Sequence, residues 1–144
     1  MPYAIGMWNY FFYGTLMDPE VTREVLGRPL SGCSPRAGIL SGYRRVCVAG
    51  ATYPALVADP DHHVEGLIVS RITELEASRL KRYEGKDYEM LTHDIQVAGN
   101  VVEGVRFFVP KDTLPLTEEL WDFKRWQVQE KKRFLKAVQR NTLV

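Results

Sequence analysis

The stretch WNYFFYGTLMDPEVTREVLG, Trp8 to Gly27, constrains the fold more than any other. Five of the six residues from Trp8 to Tyr13 are aromatic. A continuous apolar run of this kind suits a strand covered on both faces. The run stops at Gly14-Thr15-Leu16. A helix then carries both of its boundary signals, with Asp18 as N-cap, Pro19 at the first helical position and Gly27 after the end. The chain must therefore place a doubly covered strand beside a short helix, with a glycine-containing turn between them.

The rest of the sequence is punctuated at short intervals by turn residues. AGILSGYRRVCV (Ala37 to Val48) reads as a strand with a bend or bulge at Gly42. YPALVA (Tyr53 to Ala58) reads as an edge or bulged strand because of Pro54. DPDHH reads as a turn, and VEGLIVS as the strand after it. In ITELEASRLKRYEG, apolar residues recur on one helical face, Thr73 and Glu76 have capping-box spacing, and Gly85 falls at the C-terminal stop. YEMLTHDIQV and VVEGVRFFVP form a hairpin around Gly99-Asn100. Pro110 and Pro115 bracket a loop, and a single helix capped by Asp122 closes the chain. The order is β-α-β-β-β-α-β-β-α. It predicts one α+β domain over residues 1–144, a mixed, curved or barrel-like sheet carrying a few helices.

Composition narrows the function classes. Charged residues make up 26% of the 144, but the formal net charge is only +1. That balance gives no broad field for nucleic acid or an anionic membrane. No stretch approaches the roughly 20 apolar residues of a membrane span. The apolar N-terminus lacks a basic flank and a small-residue cleavage site, and reads as a strand rather than a signal peptide. Cys33 and Cys47 show no metal-ligand spacing and are read as thiols of a reducing cytosol. There is no GxGxxG, GxxxxGK[ST] or GxSxG motif. His62 and His63 are read as solvated loop residues, His93 as structural, and the tryptophans as core.

Two places retain chemical potential. At FFYGTL, Phe11 to Leu16, a strand entering a capped helix leaves backbone N–H groups able to meet an anion or developing oxyanion. From those letters alone a plain strand-to-helix turn is the favoured reading. Glu84, in YEGKDY, falls in the last turn of a helix, where the dipole disfavours a carboxylate. Desolvation by Tyr83 and Tyr88 would raise its pKa towards that of a general base. A surface glutamate near a helix end is the other reading.

Taken together, FFYGTL, YPALV, YEGKDYEM and LWDFKRW…RFL, in this order across Trp8 to Leu135, resemble the γ-glutamylcyclotransferase-like (AIG2-like) family. The resemblance implies a small β-barrel flanked by helices. It also implies a shared pocket in which Tyr13, Gly14, Thr15 and Leu16 hold a substrate's α-amino-acid end, Tyr88 lines the wall and Glu84 is the acid/base. The implied reaction closes a γ-glutamyl amide to 5-oxoproline and releases an amine, in the cytoplasm, on a small molecule, without metal or cofactor. Another Glu84-dependent cyclisation, isomerisation or elimination, and a non-catalytic binding module, are the competing readings. Phe107 stands where several relatives are expected to carry a tyrosine, which would leave a pocket hydroxyl missing. Arg44 is read as a salt-bridged strand residue rather than a substrate ligand.

Overall fold

The computed structural model describes residues 7–111 and 114–142; the expectations for the first six residues and for part of the loop between Pro110 and Pro115 lie outside them. Among the described residues there are six strands: β1 (Trp8–Phe12), β2 (Arg36–Val48), β3 (Pro54–Ile72), β4 (Tyr88–Val97), β5 (Asn100–Pro110) and β6 (Leu116–Leu120). Four α-helices accompany them: α1 (Pro19–Leu26), α2 (Glu74–Glu84), α3 (Phe123–Gln129) and α4 (Lys131–Thr142). The strands pair in the order β3-β1-β5-β4-β2, and β2 also pairs with β3, so these five close into a barrel with β6 added beside β2. Only the β1–β5 pairing is parallel among the described strands. The α+β reading with a small mixed barrel flanked by helices is the observed architecture.

Alternation along β1 explains why its aromatic run is continuous. Phe11 and Tyr13 join one buried cluster with Leu40, Ile68, Ile95 and Phe107. Tyr10 and Phe12 join a second, with Val21, Leu80, Trp121 and Trp126 from the flanking helices and their approaches. One strand thus has apolar partners on both faces, one set within the barrel and the other beneath the helices.

Three sequence expectations are corrected. DPDHH does not end a strand: Asp59 to His63 lie within β3, which runs unbroken for 19 residues. The turn signal reflects a slip of register instead. Ser41 faces His63 and Tyr43 faces Ala58, so the residues from Asp59 to His62 are accommodated opposite Gly42 alone. Asp59 accepts a backbone bond from Asp61 and pairs with His62 and Arg44, which holds this bulge together and gives Arg44 its ion pair. Next, Leu116–Leu120 forms strand β6, where no strand was expected. Finally, the closing helix is broken at Glu130, whose φ of −121° is not helical, leaving α3 capped by Asp122 and a separate α4. None of the helices in the described residues is long and apolar enough to cross a membrane.

The helices are joined to the barrel's β1 exit through Asp18. Its carboxylate accepts from the backbone N–H groups of Glu20 and Val21, from the Gln127 amide at 3.0 Å, and from the Lys131 ammonium at 2.9 Å. Burial pushes this carboxyl up, but the bonds from Gln127, Lys131 and Val21 outweigh it and hold the group below its ordinary value. One side chain therefore caps α1 and fastens α3 and α4 to it. Replacing Asp18 by alanine removes the cap and its partners together. The expected cost is about 1–3 kcal/mol, read as a lowered urea midpoint. Because the folded pKa is depressed, Asp18's contribution is present above the ordinary carboxyl value of 3.8 and disappears as the pH falls through the lower folded value.

Candidate active site

A cavity of about 880 Å³ lies between the barrel and the helices. The six residues expected to form the site all contribute to its wall: Tyr13, Gly14, Thr15 and Leu16 from the β1 exit, Glu84 from the end of α2, and Tyr88 from the start of β4. The two stretches are distant in sequence, and the fold brings them to one space.

The Tyr13–Leu16 loop is held from several sides. Tyr13 donates its hydroxyl hydrogen to the Phe108 carbonyl, and its own carbonyl accepts from Arg45 at 2.8 Å. Thr15 and Tyr83 share a hydroxyl–hydroxyl bond of 2.6 Å. Thr22 donates to the Leu16 carbonyl at 2.6 Å, and the N–H groups of Met17 and Asp18 close a single tight turn on Gly14 and Thr15. Gly14 is required by close approach, since a Cβ there would lie 2.8 Å from Cγ of Pro54. Among the described residues, nothing accepts from the backbone N–H groups of Thr15 or Leu16.

Glu84 is the last residue of α2, and its position depends on Gly85. That glycine has φ 85° and ψ −177°, a conformation essentially closed to other residues. Its N–H bonds back to the Lys81 carbonyl and ends the helix there. Glu84 keeps some exposure to the cavity but has no hydrogen bond or ion pair among the described residues. Burial, with no compensating partner, pushes its carboxyl up to about 8. The negative charge of an ionised Glu84 in turn adds to burial in raising Tyr13, Tyr83 and Tyr88. Tyr88 donates to the Pro54 carbonyl at 2.9 Å and packs edge-on against Tyr53. Pro54 therefore sets both the space beside Gly14 and the direction of the Tyr88 hydroxyl.

Phe107 does not belong to this wall. It is fully buried in the barrel cluster, against Tyr43 and His93, while its neighbour Phe108 faces the cavity. The expectation of a missing pocket hydroxyl at position 107 is thus corrected by the alternation of β5. Sequence reasoning gave no functional weight to Arg45, Arg79, Arg82 or the α4 residues Phe134, Ala137 and Val138. Arg45 is the clamp on the loop; the others line the cavity. The helical periodicity of α4 marked Phe134 and Val138 as packing residues, and nothing local marked the arginines. Among the described residues no three histidine, cysteine, aspartate or glutamate side chains converge to hold a metal ion.

A closed mixed barrel flanked by helices, with a glycine turn and a desolvated glutamate facing the same cavity, defines the class of the fold and its site. The chain belongs to the "Gamma-glutamyl cyclotransferase, AIG2-like" family, whose model matches residues 10–127. In Arabidopsis thaliana, "Protein AIG2 C" is 28% identical over 132 residues, covering 90% of this chain and 78% of its own length. "AIG2-like protein C" of the same plant is 29% identical over 136 residues, covering 92% and 77%. A solution structure of an A. thaliana protein superposes with a TM-score of 0.70 at 26% identity, covering 97% of this chain and 84% of that one. A structure titled "Gamma-glutamyl cyclotransferase" shares the fold, with a TM-score of 0.61 at 12% identity over 92% of this chain and 86% of its own.

The raised carboxyl has a consequence for folding. A folded pKa of about 8 against an ordinary 4.5 means that Glu84 is protonated in the fold where an unfolded chain would ionise it. Its contribution is fully present below 4.5 and is lost as the pH rises through about 8. Replacement by glutamine removes that dependence. Denaturation at a series of pH values should show wild type losing stability relative to Glu84→Gln across this window, and the two curves running parallel below it.

Proposed function

We propose that the protein cyclises a γ-glutamyl amide, releasing 5-oxoproline and an amine, with Glu84 as general acid/base. The observation that carries this reading is the unpaired carboxyl of Glu84, raised by burial, in the same cavity as the Tyr13–Leu16 turn. The substrate supplies its own nucleophile, so the protein has three tasks. It must hold the curled conformer, move one proton twice, and stabilise charge on one oxygen.

The Tyr13–Leu16 turn and the hydroxyls around it receive the α-amino-acid end of the glutamyl group. A substrate held as its free α-amine presents its nitrogen to ionised Glu84, which takes one proton from that nitrogen as the new bond forms. The α-amine nitrogen attacks the γ-carbonyl carbon and closes a five-membered ring. The N–H groups of Thr15 and Leu16 are suited to the negative charge that develops on the carbonyl oxygen. As the tetrahedral centre collapses, the bond from the γ-carbon to the leaving nitrogen breaks, and protonated Glu84 returns its proton to that nitrogen. The carboxylate is regenerated, and no metal or cofactor enters the balance. The two thiols, Cys33 and Cys47, are free, which suits a reducing compartment, and the cytosol is the proposed location.

Incubation with a panel of γ-glutamyl amides, with 5-oxoproline detected by mass spectrometry, tests this directly. At least one member should be turned over, and Glu84→Gln should lower kcat by about 10²–10⁴-fold. The rate should rise with pH through an ionisation near 8 in the free enzyme. Folded protein that turns over no member, or a Glu84→Gln variant as active as wild type, would contradict the proposal.

A further inference from the structure

The cavity has two unlike walls. The barrel side carries Tyr13, Pro54, Tyr88 and Phe108, whereas the helical side carries Val25 of α1, Arg79 and Arg82 of α2, and Phe134 and Val138 of α4. On α2, Arg79, Arg82 and Tyr83 fall at i, i+3 and i+4 and share a face. Tyr83 reaches the Thr15 hydroxyl from that face, so the arginines border the same space as the turn.

The charges on the helical wall are not equivalent. Arg79 gives Nη1 to the Leu26 carbonyl at 2.8 Å, and is thereby committed to the end of α1. Glu24 accepts from the Gln139 amide at 3.3 Å. The Arg82 side chain, exposed at the edge of the cavity, has no hydrogen bond, ion pair or ring contact among the described residues. With Arg79 committed to Leu26, the Arg82 guanidinium and the apolar side chains of Val25, Phe134 and Val138 are together complementary to an amphipathic anion. A carboxylate fits its planar fork in bidentate fashion, and Val25, Phe134 and Val138 can cover an attached apolar body.

We propose that Arg82 is the specificity residue for the departing amine, binding a carboxylate on it while the amine's apolar body lies against Val25, Phe134 and Val138. This rests on the cyclotransferase reading. There the glutamyl end occupies the turn and Glu84, so what remains of the substrate extends along the helical wall. The preferred substrate class is then a γ-glutamyl amide of an apolar amino acid, rather than of a neutral alkylamine. Glu24, on the same wall, disfavours a carboxylate that does not reach Arg82, which sharpens the choice.

The test compares γ-glutamyl-leucine with γ-glutamyl-isoamylamine, identical except that the second lacks the carboxylate. For wild type, kcat/KM should favour the leucine compound by about tenfold, carried by KM, as expected for a charge-assisted pair. In Arg82→Gln the ratio should fall to near one, and Arg82→Lys should restore part of it. Thermal melting of each variant checks that it is folded. Equal use of both compounds by wild type, or an unchanged ratio in Arg82→Gln, overturns the proposal. Calorimetric binding of the same two compounds separates this inference from the reaction. If neither is turned over but wild type binds the carboxylate form about tenfold tighter and Arg82→Gln does not, the subsite stands and the cyclotransferase reading fails. Equal binding of the two, or binding of neither, overturns the subsite as well.

Discussion

A largely desolvated carboxyl group without a partner is costly to ionise, and the arrangement around Glu84 depends on that cost. The carboxyl lies at the C-terminal end of α2, where the helix's partial charge also opposes ionisation. Tyr13, Tyr83 and Tyr88 surround it with rings whose hydroxyls are tied elsewhere, to Phe108, Thr15 and Pro54. None of the three is spent on neutralising the glutamate. The result is a carboxyl whose ionisation is shifted up to about 8 rather than a fixed anion.

Two residues outside the reacting centre maintain that state. Gly85 stops α2 immediately after Glu84, with a backbone geometry that a side chain would strain. Asp18 fastens α3 and α4 to α1, and α4 in turn supplies Phe134, Ala137 and Val138 to the cavity. Asp18 and its partners thus hold in place the helix that supplies one wall of the cavity.

Much of this was legible in the letters. Asp18-Pro19…Gly27 and Thr73…Glu76 are local capping chemistries, and both operate as their spacing implies. The aromatic run of β1 required cover on two faces and has it. What failed were features decided by pairing rather than by local preference. DPDHH has turn composition, yet β2 pairs on both sides of it and draws it into β3 as a bulge. LTEEL is polar and short, and becomes a strand because β2 offers it an edge at Val46 and Val48. At the site, Glu84 is even between two readings because its near neighbours Tyr83 and Tyr88 do not alone decide its burial, and Tyr13 and the rest of the cavity wall lie far away in sequence. Arg45 and Arg82 were illegible for the same reason: one clamps a carbonyl across the barrel and the other borders a cavity that exists only after folding.

The central claim is that Glu84 carries a carboxyl tuned by burial. Carbon-13 NMR of the side-chain carboxyls, with Glu84→Gln to assign the resonance, measures this without any substrate. The account predicts a titration midpoint near 8 for Glu84. A midpoint near the ordinary 4.5 would contradict it, and would return Glu84 to the ranks of surface glutamates.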